Sequence, residues 1–304
     1  MTAVLFLGGE DPAGWIEEFK RLAPDLEVRS WSNRGDVADI EVVLGWRHPK
    51  GAAKNYPNLK LISALGAGYE HILGDPERPK GVPVVRLIDL KLTQAMTEYV
   101  LLHVLRYHRQ MLHYEQVQRE RRWAKLPPPD TDTRRIGILG LGALGEDAAR
   151  RLRELGFPVA AWSRTPKCVD NVDVFHGPAQ LDAFVARTDI LICLLPLNDE
   201  TRGIIGAKLL GKLPRGAYVI NPARGGHVVD ADLIAALDSG HIAGATLDVF
   251  HIEPLPSDHP FWTHPKITIT PHIASTTNPR SAIPQIVDNI MRAREGKPLM
   301  NRVA

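Results

Sequence analysis

The sequence predicts an α/β protein built from parallel sheets with crossover helices, in two domains. Three observations carry this. Short apolar runs recur along all 304 residues, and stretches of helical period separate them. One run, Ile136–Leu139, ends in Gly140-x-Gly142-x-x-Gly145 and leads straight into a helical pattern. Parallel strands need crossovers of that kind, and strands covered on both faces read as near-continuous apolar runs. A chain of this length is also long enough to bury more than one core.

Within the first 90 residues the strand candidates are 4–7, 26–30, 41–44, 59–64 and 82–86. An amphipathic segment, 15–22, lies between the first two and stops at Pro24. The region reads as a domain of its own and has no phosphate-binding glycine pattern at its first turn. Two loops in it have the composition of a site: Trp46-Arg47-His48-Pro49 after the third strand, and Leu65-Gly66-Ala67-Gly68-Tyr69 after the fourth. Open α/β sheets hold their ligands beyond the carboxyl ends of strands. Gly66 and Gly68 either bring backbone N–H groups to a ligand or make an ordinary turn. Trp46 either lines a pocket or fills a gap.

From 93 to 123 the period becomes helical. Met96, Val100, Val104, Tyr107, Met111 and Tyr114 recur every three or four residues, and no proline interrupts them. At about 1.5 Å per residue a continuous helix here would be a rod of roughly 45 Å. Its apolar stripe implies packing between domains or between subunits. His103, His108 and His113 within it read as core or solvated histidines rather than ligands. Pro127-Pro128-Pro129-Asp130 then forms a stiff linker.

The second domain opens on the glycine pattern. Gly140 permits a tight turn, Gly142 lets backbone approach a pyrophosphate, and Gly145 lets helix pack on strand, while the helix N-terminus offers N–H groups to the phosphates. The next strand, 158–162, ends at Ser163-Arg164-Thr165-Pro166-Lys167. An NAD site carries an acidic residue about 20 positions beyond the glycines, where it accepts the ribose hydroxyls. Here two cations and two hydroxyls stand in its place. They suit a 2′-phosphate, which a carboxylate would repel, so NADPH is expected with NADH weaker; the alternative is a solvated Arg164 and an indifferent site. Helix 179–187, strand 190–195 closed by Leu195-Pro196, helix 206–213, strand 217–221, helix 230–239, strands 244–250 and 266–270 and helix 279–295 complete the chain.

Three residues each follow a separate strand of this sheet: Arg224, Glu253 and His272. Their loops are therefore expected to open on the side where the phosphates bind. Reduction of a 2-keto acid needs a hydride, a proton and a group that holds the carboxylate. Arginine offers a forked donor to carboxylate and carbonyl oxygen, and histidine can give up the proton. A carboxylate on the other ring nitrogen fixes the imidazole tautomer. Singly these are a surface arginine, a capping glutamate and a loop histidine; after successive strands they read as a catalytic set.

Composition excludes other classes. A net charge of +2 leaves no basic footprint for nucleic acid. Cys168 and Cys193 lie far apart without His or Cys neighbours at ligand spacing, which argues against a disulfide framework or a metal site and for a reducing compartment. The opening run from Met1 to Gly9 has no basic flank and reads as a first strand rather than a signal peptide, and no later apolar run is long enough for a bilayer. A cytoplasmic protein is expected.

The sequence resembles the D-2-hydroxyacid dehydrogenases. The likeness rests on Gly140-x-Gly142-x-x-Gly145, Asn221-Pro222-Ala223-Arg224-Gly225, Leu247-Asp248-Val249-Phe250 with Glu253-Pro254-Leu255, and Thr270-Pro271-His272-Ile273-Ala274, and covers essentially the whole chain. Gly45 to Pro49, Ala64 to Gly68, Trp162-Ser163-Arg164 and Pro256 to Pro265 are most similar to the bacterial A-type glyoxylate/hydroxypyruvate reductases of that family. The resemblance implies two Rossmann-like parallel-sheet domains with an interdomain cleft. One is a flavodoxin-like substrate domain of residues 1–97 plus 280–304, the other a dinucleotide-binding domain of residues 98–279. It implies Arg224 on the keto acid, His272 as general acid and Glu253 as its partner. Backbone N–H groups of Leu65, Gly66, Ala67 and Gly68 would hold the carboxylate, and Trp46 would line the pocket. Asp248 would meet the nicotinamide carboxamide, Leu144 and Gly145 the pyrophosphate, and Leu195, Pro196, Ala223, His272 and Ala274 the rest of the cofactor beside Ser163, Arg164, Thr165 and Lys167. A homodimer through the cofactor domain and the 93–123 helix is implied too. Related chains often carry a longer C-terminal segment returning to the substrate domain, so the ending Asn301-Arg302-Val303-Ala304 implies a more open pocket edge. The expected activity is NADPH-dependent reduction of glyoxylate and hydroxypyruvate. The alternatives are a broader 2-keto acid reductase, an NAD-linked dehydrogenase of the family, or a nucleotide-sensing binding protein of the corepressor type.

Overall fold

The computed structural model describes residues 3–8 and 12–304; Met1, Thr2 and Gly9 of the opening run lie outside the described residues, as do Glu10 and Asp11. The chain divides into two compact units, Met1–Leu92 with Thr276–Ala304, and Thr93–Ser275. The dividing lines fall before Thr93 and Thr276, where the sequence reading puts them before 98 and 280. The difference has a physical cause at the first line, because Met96 already packs in the core of the second unit.

The first unit contains β1 (Ala3–Gly8), α1 (Ala13–Leu22), β2 (Glu27–Ser30), β3 (Ile40–Trp46), β4 (Leu61–Ala64), the single turn α2 (Glu70–Leu73) and β5 (Val84–Val85). The five strands are parallel in the order β2-β1-β3-β4-β5, so the order reverses between β1 and β3. The last helix of the chain, Pro279–Glu295, belongs to this unit and lies against α1. Phe19, Ile283, Ile286 and Ile290 are fully buried there, each stabilising the fold by about 1.5–3 kcal/mol. The final residues are not loose. Val303 N–H donates to Val84 O, Val84 N–H to Ala304 O and Arg86 N–H to Asn301 O, which pairs the chain end with the outer edge of β5.

Helix α3 (Leu90–His108) runs through the dividing line at Thr93, and the second unit continues with α4 (Met111–Arg119), then β6 (Ile136–Leu139), α5 (Ala143–Glu154), β7 (Val159–Ser163), β8 (Asp173–His176), α6 (Gly177–Ala186), β9 (Ile190–Cys193), α7 (Ala207–Leu210), β10 (Ala217–Asn221), α8 (Asp230–Asp238), β11 (Ile242–Leu247) and β12 (Ile267–Ile269). The closing helix of the first unit is α9. Seven parallel strands run β12-β11-β10-β9-β6-β7-β8. This is the doubly wound order, with its reversal between β6 and β9.

Two expectations are corrected. The single helix over 93–123 is two helices: Gln110 adopts a left-handed backbone (φ 59°) between α3 and α4. Arg106 clamps the break by a two-pronged pair with Glu115, at 3.2 and 2.6 Å. Beyond it Leu112 packs on the core and Val117 is buried, while Met111 is exposed, so the apolar period of 96–107 does not carry on through 111. Strand β8 has no counterpart in the sequence reading. It is a sheet edge, with Asp173 and His176 exposed, and so shows no apolar run.

The face of α3 that meets the sheet carries polar partners. Tyr107 Oη lies 2.6 Å from Thr246 Oγ1, Arg106 Nη1 donates to Thr268 Oγ1 at 2.5 Å, and His103 is buried with its ring 4.4 Å from that of Tyr99. Burial, with the Arg106 charge adding to it, pushes the His103 imidazole down to about 4 from 6.5. Between those values the unfolded chain holds the proton and the folded protein does not, so stability falls as pH drops through that window. The unfolding free energy of the native chain is expected to lose on the order of 1–3 kcal/mol from this one group. Denaturant titrations at pH values across the window check it: His103→Phe should show a correspondingly flatter pH dependence, and an equal slope would remove His103 from the account.

Candidate active site

Register places the second unit's loops. Leu139 pairs with Cys193, Ile192 with Ile220, Asn221 with Leu247 and Leu247 with Ile269. The carboxyl ends of β6, β9, β10, β11 and β12 therefore lie level along one edge of the sheet. The glycine turn, Pro196, Arg224, Glu253 and His272 all leave from that edge.

His272 sits in a left-handed backbone (φ 55°) just past β12, a conformation that costs a non-glycine residue about 1 kcal/mol or more. Its N–H donates to Asp248 O at 2.8 Å and to Thr270 O at 3.1 Å, which holds the turn. The imidazole Nδ1 is 2.7 Å from Glu253 Oε2, and Glu253 Oε1 accepts the Phe250 N–H at 2.9 Å. Both side chains are mostly buried, 23% and 14% exposed. An ionised carboxylate only accepts, so the pair places the proton on Nδ1 and makes Nε2 the nitrogen that can exchange one.

Arg224 is half-buried in an extended backbone after β10, and its Nη1 donates to Ala223 O at 2.6 Å. Asn221, fully buried, ties the loop down: its Nδ2 donates to Arg224 O and its Oδ1 accepts from Ala223 N–H. Gly225 packs on the Phe250–His251 backbone so closely that no Cβ would fit. The Arg224 loop is thus seated directly on the segment that leads to Glu253.

Asp248 is also wholly buried. Its Oδ1 accepts from Thr270 Oγ1 at 2.6 Å and Ile273 N–H at 2.9 Å, and its Oδ2 from Ala274 N–H at 2.9 Å. Burial raises its pKa, and these donors oppose the rise. Both oxygens thus hold the His272 loop, whatever else Asp248 meets.

The glycine turn fits a dinucleotide. Gly140 has φ 103°, and a Cβ at Gly145 would collide with the Gly140 carbonyl, so α5 begins hard against the end of β6. Gly142 is the N-cap of α5, exposed, with open space where its Cβ would project. Leu144 is half-buried on the core side. Ser163 ends β7 with its hydroxyl on Thr165 O at 2.8 Å, and Arg164, Thr165 and Lys167 are exposed beside it. Lys167 is more than a surface charge: its ammonium donates to Leu141 O at 2.5 Å, tying this segment to the glycine turn. Leu195, Ala223 and Ala274 are buried and Pro196 is exposed along the same edge.

In the first unit the structure brings Trp46 and Gly66 together, with 3.3 Å between the indole edge and a Cβ built on Gly66. Thr277 Oγ1 donates to Leu65 O at 2.6 Å and fixes the loop that runs on through Ala67 and Gly68. His71, which sequence reasoning passed over, packs edge-on to Trp46 at 5.2 Å. Its position just after the Leu65–Tyr69 loop was the available signal. Tyr99, Thr270 and Asn221 were missed as well; nothing in the spacing of a helix tyrosine or a strand-end threonine points to a site. Among the described residues no group of three or more His, Cys, Asp or Glu is placed to hold a metal ion, and no helix is long and apolar enough to cross a membrane.

A doubly wound sheet with a phosphate-type glycine turn and a histidine–carboxylate pair on one edge defines a nucleotide-dependent oxidoreductase. Residues 101–274 match the family described as D-isomer specific 2-hydroxyacid dehydrogenase, NAD binding domain. The glyoxylate/hydroxypyruvate reductase A of Yersinia enterocolitica is 44% identical over 288 residues, 93% of this chain and 92% of that one. The protein of the same name from Serratia proteamaculans is 45% identical over 289 residues, with the same coverage. A D-isomer specific 2-hydroxyacid dehydrogenase of Xanthobacter autotrophicus Py2, solved with NADPH and MES, is 44% identical and superposes with a TM-score of 0.95 over 100% of this chain and 98% of that one. An NADPH-dependent glyoxylate/hydroxypyruvate reductase of Sinorhizobium meliloti, solved with NADP and sulfate, is 36% identical with a TM-score of 0.94 over the same shares. The chain belongs to the D-isomer specific 2-hydroxyacid dehydrogenases.

Proposed function

We propose that this chain is an NADPH-dependent reductase of small 2-keto acids, with glyoxylate and hydroxypyruvate as substrates. The observation that carries the reading is the His272–Glu253 pair, at 2.7 Å on the same sheet edge as Arg224 and the glycine turn. Bound NADPH supplies a hydride to the keto carbon, and the products are the 2-hydroxy acid and NADP. Arg224 holds the carboxylate and the carbonyl oxygen through its forked donors. His272 delivers the proton to that oxygen from Nε2, while Glu253 keeps Nδ1 protonated and the ring in place. Trp46 and the backbone of Leu65, Gly66, Ala67 and Gly68 are the first unit's candidates for substrate contact. Gly140, Gly142, Leu144 and Gly145 receive the pyrophosphate at the α5 N-terminus. The specific acid is drawn from the relatives named above, two of them glyoxylate/hydroxypyruvate reductases at 44% and 45% identity.

NADPH is preferred because Ser163, Arg164 and Lys167 stand where a carboxylate would accept NAD hydroxyls. Replacing Arg164 and Lys167 together with serine is expected to lower the NADPH-to-NADH ratio of kcat/KM by about tenfold or more, roughly 1.4 kcal/mol per decade. An unchanged ratio would exclude recognition of the 2′-phosphate.

The protein acts as a cytoplasmic homodimer without a nucleic-acid partner. Leu102, Leu105 and Met111 on α3 and α4 and Trp123 beyond them are exposed, an apolar surface that a second copy can cover. Initial rates of NADPH oxidation with glyoxylate, hydroxypyruvate, pyruvate and a branched 2-keto acid, repeated with NADH, test the reading. Turnover of the first two with NADPH supports it. Tight NADPH binding with no turnover of any acid replaces it with a nucleotide-sensing role.

A further inference from the structure

We infer that Tyr99 and Thr270 are positioning residues for the reaction, acting on His272 through the carboxylate of Asp248. The inference rests on the reading of His272 as proton donor. Tyr99 Oη is 2.7 Å from Thr270 Oγ1, and Thr270 Oγ1 is 2.6 Å from Asp248 Oδ1. Tyr99 is 8% exposed and Asp248 is fully buried, so water does not substitute for either bond at little cost.

The direction of the chain follows from the acceptor at its end. An ionised carboxylate has no proton to give, so Thr270 spends its one hydroxyl proton on Asp248. Thr270 Oγ1 is then an acceptor, and the Tyr99 hydroxyl donates to it. Removing either hydroxyl takes stabilisation from the charged form of a carboxylate that burial already disfavours. Asp248 then takes up a proton more readily, and two things happen at His272. The loop of Ile273 and Ala274 loses part of its anchor, and the imidazolium loses a neighbouring negative charge. Among the described residues, the titratable and charged groups around the carboxylate are His272 from the β12 loop and Tyr99 from α3, with Tyr107 and His103 behind Tyr99. Glu253 is bonded to the imidazole Nδ1, and Arg224 follows β10, the strand on the other side of β11 from β12.

The fold supplies its own control. Farther along α3, Tyr107 makes the same kind of bond to Thr246, at 2.6 Å and fully buried, and Thr246 reaches the His103 ring at 3.4 Å. That pair docks the helix on the sheet and leads to His103, not to Asp248.

The experiment compares the native chain with Tyr99→Phe, Thr270→Val, Thr270→Ser and Tyr107→Phe. The readouts are the pH profile of glyoxylate reduction at saturating NADPH, NADPH affinity, and the titration midpoint of the His272 imidazole by nitrogen-15 NMR on the cofactor-free protein. Thr270→Val is expected to lower kcat about tenfold and to move the alkaline limb and the NMR midpoint down by roughly half a pH unit or more. Tyr99→Phe should shift both the same way by less, and Thr270→Ser should restore both. Tyr107→Phe should lower thermal stability and leave the pH profile alone. Native limbs and midpoints in Thr270→Val and Tyr99→Phe would overturn the inference, as would an equal shift in Tyr107→Phe. If the native chain reduces no keto acid, the proposed function falls and the NMR midpoint alone decides the coupling: a drop in Thr270→Val sustains it, and no change overturns it.

Discussion

His272→Asn is expected to bind NADPH within a few-fold of the native chain and to reduce glyoxylate about a thousandfold more slowly. Asparagine is the informative replacement because it is among the few residues at ease in a left-handed backbone, which position 272 requires at φ 55°. The backbone bonds to Asp248 O and Thr270 O stay, and the side-chain amide can still donate toward Glu253. What disappears is the ring nitrogen that can give up a proton. Steady-state rates and an NADPH fluorescence titration separate the cases. Turnover near the native rate would remove His272 from proton transfer. Equal losses of turnover and NADPH affinity would make it a cofactor contact instead. Glu253→Gln should lie between, since the amide keeps the geometry but withdraws the charge that favours a protonated imidazole.

The parts of this site that could be read from the sequence are those fixed by local rules. Strand β6 and strand β10 have the bounds their apolar runs give, because both are central and covered on both faces. The glycine turn, and the placement of Arg224, Glu253 and His272 after adjacent strands, follow from chain order and parallel topology. Edge strand β8 escaped because solvent on one side removes the apolar signal. The break at Gln110 escaped because no glycine or proline marks it; a tertiary clamp between Arg106 and Glu115 holds it instead. The Tyr99–Thr270 bond joins residues 171 positions apart, and Lys167 reaches back to Leu141 across 26. Spacing along a chain carries no information about such bonds, since they exist only after α3 has docked on the sheet and β7 has paired with β6.

Gly142→Ala and Gly145→Ala are expected to fail in opposite ways, although both break one motif. At Gly145 the added methyl group would meet the Gly140 carbonyl, so α5 must lift from β6, in a core where Ala148, Ala149 and Leu152 are fully buried. Overpacking of this kind costs about 3 kcal/mol or more, with backbone rather than a flexible side chain having to yield. For a unit of this size that is a fall in Tm of roughly 6–12 °C. At Gly142 the backbone (φ −83°) suits alanine and the methyl would meet nothing within 4 Å, so unfolding should shift by no more than about 0.5 kcal/mol. The methyl would stand on the N-cap of α5, beside the N–H groups proposed to hold a pyrophosphate. NADPH affinity should therefore drop about a hundredfold, roughly 2.7 kcal/mol, while the protein stays folded. Thermal scans with and without NADPH read both effects at once: ligand raises the native Tm by linkage and should raise that of Gly142→Ala far less. A Gly142→Ala protein that NADPH stabilises as fully as the native chain would mean the phosphates do not cross this turn. A Gly145→Ala protein of native Tm would mean the helix start has room to move, and the close approach of α5 to β6 would then carry no binding argument.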